Sequence, residues 1–110
     1  MDAEERFATL VDAFAGRSEV TIPGEDGRRG FGSSALKVHG SIFAMLTRGH
    51  LVVKLPRHRV DALVEAGTGS PFDAGKGRPM KEWLTITEDN SETWLTLTDE
   101  AHDFVRSRSH

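Results

Sequence analysis

A chain of 110 residues, 37% hydrophobic and 28% charged, has the size and composition of one soluble domain around one core, and a second domain is not expected. The net charge of −3 argues against a generally basic nucleic-acid binder but leaves room for a local patch, and the lack of cysteine excludes disulfides, thiolate metal sites and a cysteine nucleophile. No apolar run approaches a bilayer-spanning length, and the acidic start MDAEERF has neither the basic nor the apolar block of a secretory signal, so a single cytoplasmic domain over residues 1–110 is expected.

From Asp2 to Ala15, Phe7, Leu10, Val11 and Phe14 recur at helical spacing. Asp2, Glu4 and Glu5 suit the positive end of the helix dipole, and Gly16 suits the stop. Glu19 to Ile22 reads as a short edge strand ended by Pro23, and the glycines at 24, 27, 30 and 32 make 23–34 a loop. Leu36 to Leu55 reads as three strands joined by two-residue turns at His39-Gly40 and Arg48-Gly49. Pro56 to Ala66 has helical spacing at Val60, Leu63 and Val64, with Gly67 as its stop. Gly67 to Pro79 is expected to be a loop with Phe72 anchored in the core, and Lys81 to Thr87 a strand with Trp83, Thr85 and Thr87 on one side. In the tail, Trp94, Leu97, Ala101, Phe104 and Val105 predict a helix over 91–107, starting at Ser91 or only after Thr98, with Asp89 and Glu92 resembling a capping box. The expected fold is α+β: an antiparallel sheet with central hairpins at about 34–55 and a strand near 81–87, flanked by N-terminal, middle and C-terminal helices.

Regular two-residue turns pair Val38 with Ser41 and Thr47 with His50, and alternation then fixes each side chain's face. One face receives Leu36, Val38, Phe43, Met45 and Val52 with Lys54, and the other Ile42, Ala44, Leu46, Leu51, Val53 and Leu55 with Lys37. Lys37 and Lys54 would point to opposite sides, and the stretch offers no aromatic but Phe43, so a basic platform for nucleic acid is not expected there. Apolar residues on both faces fit either two helical layers or one layer and a dimer contact.

The loop GEDGRRGFGSS, with Arg28 and Arg29, is one candidate for anion or nucleic-acid binding, and Lys76 and Arg78 in the second loop could complete one patch. Its G-x-x-G-x-G spacing matches neither a P-loop nor the dinucleotide fingerprint. The five histidines show no H-x-x-x-H or H-x-H pair, so no metal site is expected, and Ser33 and Ser34 lack a nucleophile elbow, so no catalytic residue is assigned. No cofactor is implied. Asp61 and Glu65 read as a solvated helix face, and Trp83 and Trp94 as core or rim.

Phe31-Gly32, Gly40-x-x-Phe43-Ala44, Leu51-x-x-Lys54, Gly67 followed by Pro71-Phe72, and Met80-x-x-Trp83 occur in an order that resembles the TfoX N-terminal domain family, itself related in general shape to YjbR-like proteins. The resemblance spans most of the chain. It implies an α+β domain from a group associated with competence regulation and carries no catalytic residue. The Arg28-Arg29 pair departs from it, and the chain has no room for the additional C-terminal domain of the longer regulators. The expected function is a small non-enzymatic regulatory module that binds a protein partner. Phosphate or nucleic-acid binding through the basic loops, or a small-ligand pocket, are the alternatives.

Overall fold

The structure, a computed structural model, describes residues 2–22, 35–73 and 79–108. The element order is α1 (Ala3–Phe14), β1 (Val20–Thr21), β2 (Ala35–Val38), β3 (Ser41–Thr47), β4 (His50–Lys54), α2 (Arg57–Glu65), β5 (Gly69–Asp73), β6 (Pro79–Ile86) and α3 (Ser91–Arg108). The strands form one six-stranded sheet in the order β1-β2-β3-β4-β6-β5, antiparallel at each pairing. The α+β class is as expected, and no described helix is long and apolar enough to cross a membrane.

Local chemistry explains most boundaries. Asp2 caps α1 by accepting from the Glu5 amide at 2.8 Å, and Gly16, at φ +88°, ends it. Both hairpin turns have positive φ at each central residue, 52° and 79° at His39-Gly40 and 53° and 79° at Arg48-Gly49, the backbone that matches strand twist. The expected pairs Val38 with Ser41 and Thr47 with His50 are present. The last helix starts at Ser91, the earlier of the two expected positions. Its cap is Asn90, not Asp89: the Asn90 Oδ1 accepts from the amides of Glu92 (2.9 Å) and Thr93 (3.1 Å).

The sequence pattern misleads in two places. The segment expected to be a loop from Gly67 contains β5, which pairs along β6 at the sheet edge. The second departure is in β3. Lys37 pairs with Ile42 and Leu36 with Ala44, so Phe43 is one extra residue opposite the β2 strand, a β-bulge. Phe43 and Ala44 are consequently both buried in the core, and everything in β2 changes face relative to β4. Leu36, Val38 and Phe43 join Ala44, Leu51, Val53 and Leu55 on one side. Lys37 shares the other side with Ile42, Met45, Val52 and Lys54, so Lys37 and Lys54 point to the same face and not to opposite ones.

The helices lie on the first of these sides. α3 packs across β2, β3 and β4, α1 packs on α3 and β4, and α2 packs on β5 and β6. The core between the layers holds Phe7, Leu10, Phe14, Val60, Leu63, Trp94, Leu97, Ala101 and Val105 against the sheet residues Phe43, Leu84 and Ile86. Phe14 and Phe43 are wholly buried with ring centroids 5.7 Å apart, and each such ring contributes roughly 1.5–3 kcal/mol through burial. Arg59 of α2 grips Glu100 of α3 with two bonds of 2.9 and 3.1 Å, which places both helices on one side of the sheet. That paired carboxylate is also what raises the Arg59 pKa. Of the two arrangements open from sequence, the described residues form a single helical layer.

Candidate functional site

The sheet face turned away from the helices is built by alternation from five strands. β2 contributes Ala35 and Lys37, β3 contributes Ile42 and Met45, β4 contributes Val52 and Lys54, β6 contributes Trp83 and Thr85, and β5 contributes Phe72. Ala35 and Val52 are buried, while Ile42, Met45, Phe72, Trp83 and Thr85 are half-buried. Phe72 is therefore not a core anchor. Its ring lies 6.5 Å from that of Trp83, outside the core between sheet and helices. The two tryptophans have divided the alternatives between them: Trp94 is buried with its indole N–H donating to the Glu88 carbonyl at 2.9 Å, and Trp83 stands at the rim of the open face.

Around Trp83 the chain gathers cations. Lys54 pairs directly with Trp83 across the β4–β6 ladder, and its ammonium lies 5.5 Å from the centre of the indole ring. Lys81, two residues before Trp83, is exposed, and so is Arg57, delivered by the turn from β4 into α2. An open groove of about 540 Å³ is lined by Lys54, Arg57, Lys81, Glu82 and Trp83. Glu82 does not neutralise it, because both its carboxylate oxygens accept from Arg108, at 3.0 and 2.9 Å. At the same place α2 begins with Pro56, without a side-chain cap or an acidic residue in its first turn, so the positive end of its dipole is uncompensated.

The two sides of the sheet differ in how their charges are spent. Among the helices and their connections, Arg6 faces Asp89 at 4.0 Å, Arg17 meets Asp99 at 2.9 Å, Arg59 meets Glu100, Arg106 faces Glu19 at 3.9 Å and Arg108 meets Glu82. Lys54, Arg57 and Lys81 have no carboxylate in ion-pair contact among the described residues. The charged strand residues that alternation places on the helix-free face, Lys37, Lys54 and Lys81, are all lysines. A chain of net charge −3 thus keeps a cationic, aromatic face opposite an acidic helical layer.

The residues expected from sequence to bind anions, Arg28, Arg29, Lys76 and Arg78, lie outside the described residues, as do Ser33 and Ser34. Sequence reasoning missed Lys54, Arg57 and Lys81 as a group, since they come from β4, α2 and β6 and only the fold brings them together. The available signal was the alternation of Trp83 with Leu84 and Ile86, which already separates this tryptophan from the core side.

A second cluster stands on α3, where donor atoms of Asp99, His102 and Asp103 lie within 4.8 Å of one another. Helical spacing, not an H-x-x-x-H pair, brings them together. Their atoms are already engaged: Asp99 accepts from Arg17, and the His102 Nδ1 lies 3.2 Å from the Asp103 Oδ1. The other ring nitrogen, Nε2, is buried without a hydrogen-bond partner among the described residues, in a ring packed 5.4 Å from Phe43 and 6.0 Å from Phe14. The histidine is a core residue with a wet edge. His39 is exposed in its turn, with its Nε2 3.0 Å from the Glu19 carboxylate. No protein-family model, curated protein or solved structure matches the chain.

Proposed function

We propose that this protein is a small non-enzymatic binding module that takes an anionic partner on the helix-free face of its sheet. One observation carries the reading: Lys54, Arg57 and Lys81 line one groove with Trp83 and have no carboxylate in ion-pair contact among the described residues, while Arg17, Arg59 and Arg108 each hold one. Cations left uncompensated beside half-buried apolar surface favour a partner that brings negative charge and something apolar or planar. A second copy of the chain meeting the same face across a two-fold axis would bring lysines against lysines, which argues for a foreign partner over a symmetric dimer. The resemblance to the TfoX N-terminal domain family supports a regulatory setting for such binding.

The test is an amide-resolved NMR titration of the isotope-labelled protein with two polyanions in turn, a polyglutamate peptide and a short oligothymidylate. Shifts concentrated on Lys54, Arg57, Lys81 and Trp83, diminished in a Lys54→Gln/Lys81→Gln variant, are the expected result. Shifts confined to the helical layer, or none with either polyanion, would remove the proposal.

A further inference from the structure

Resting on that reading, we infer that the anionic partner is a single-stranded nucleic acid, with a base stacked on Trp83 and the backbone held by Lys54, Arg57 and Lys81. Three features of the face carry this inference, and the first of them separates a nucleic acid from an acidic protein segment. The first is the rim indole itself. Trp83 is half-buried, its N–H has no hydrogen-bond partner among the described residues, and its ring is supported on one side by Phe72 at 6.5 Å. A ring held in place by a second ring and by a lysine is a preorganised stacking platform, and every base has a face to offer it. An acidic peptide uses the cations and has no comparable use for the ring.

The second feature is placement. Lys37, Ile42, Lys54, Trp83 and Phe72 come from five adjacent strands and form a band across one end of the sheet. At the usual strand spacing this band is roughly 19 Å wide, long enough for a few nucleotides laid across the strands. The third is the arrangement of charge. Lys54 beside Trp83, Lys81 two residues before it and Arg57 at the start of α2 come from three elements and line one groove with the indole. Cations placed directly beside an exposed aromatic ring suit a ligand in which phosphate and base alternate along one strand. The bulge at Phe43 contributes to the same end, since it is what turns Lys37 onto this face.

The experiment measures binding of the full chain to a fluorescein-labelled oligothymidylate of about ten nucleotides, a usual site size for such surfaces, by anisotropy over a series of salt concentrations. Three phosphate contacts predict an affinity that falls with a slope of about −2 in log K against log salt, and Lys54→Gln/Lys81→Gln should lower both affinity and slope. Tryptophan fluorescence of the unmodified protein should be quenched on binding, because Trp94 is sealed in the core and Trp83 is the accessible indole. Trp83→Leu, which keeps an apolar side chain but removes the platform, should weaken binding about tenfold, and Trp83→Phe should restore most of it. Binding that Trp83→Leu leaves within about twofold, or no binding to the oligothymidylate, overturns the inference. If polyglutamate then binds the same face, the module still takes an anionic partner and only its identity as nucleic acid is lost. If neither binds, both readings fall together.

Discussion

Gly69 opens β5, and its neighbours leave no space for a side chain. A Cβ built there would stand 2.5 Å from the Thr85 carbonyl oxygen and 2.8 Å from the Leu84 Cδ1. Ordinary contacts begin about 3.4 Å apart, so Gly69→Ala requires β5 and β6 to separate by close to an ångström at that point. The Leu84 methyl can swing, but the Thr85 oxygen belongs to the backbone of a strand paired on both sides and has little freedom. Overpacking of this kind costs about 2–3 kcal/mol, a large share of the 5–15 kcal/mol that holds a typical domain together. The expected drop in Tm is about 8–12 °C. Calorimetry gives the total, and hydrogen exchange shows where it falls: protection should be lost first in β5 and along its pairing with β6. Since Phe72 supports Trp83, loosening of this edge should also shift the tryptophan emission. A variant as stable as the parent to within about 0.5 kcal/mol, with β5 still protected, would refute the steric argument.

Two smaller perturbations test the local chemistry. Asn90→Ala removes the acceptor for two amides at the start of α3 and should cost about 1 kcal/mol in urea unfolding, with faster amide exchange at Glu92 and Thr93; unchanged exchange there would show that the cap is redundant. Arg48→Asn places at the first position of a positive-φ turn the residue type that tolerates it best, and should raise stability by about 0.5 kcal/mol, while a decrease would mean that the arginine has a role in the fold beyond the turn.

The hairpins were legible because Gly40 and Gly49 mark turns whose length is set by backbone geometry alone. Helices α1 and α3 were legible because their buried residues repeat at helical spacing over three turns or more. Strand β5 was not, since GTGSPFD has the composition of a loop and becomes a strand only by pairing with β6, a partner distant in composition if near in sequence. The facing of Lys37 was lost for a different reason. Strict alternation through β3 assumes one residue of β3 for each of β2, and the bulge at Phe43 sets one extra residue of β3 against β2. Without that bulge Lys37 and Lys54 would lie on opposite sides, and the sheet would have no shared basic face. The aromatic part of that face, Trp83 and Phe72, lies outside the stretch 36–55, and only strand pairing brings it beside Lys54.

The extra residue in β3 works as a phase shifter between the two halves of the sheet. In β2 the odd positions face away from the helices and the even ones towards them; in β4, beyond the extra residue, the same parity has the other meaning. Deleting one residue there would leave both hairpin turns and every other strand as they are, yet it would send Lys37 towards the helices and turn Leu36 and Val38 away from them. Insertions and deletions near Phe43 are therefore not neutral changes of loop length in this chain. They exchange inside for outside across a whole strand, and the chain can keep both its core and its band of lysines only while that one residue remains out of step.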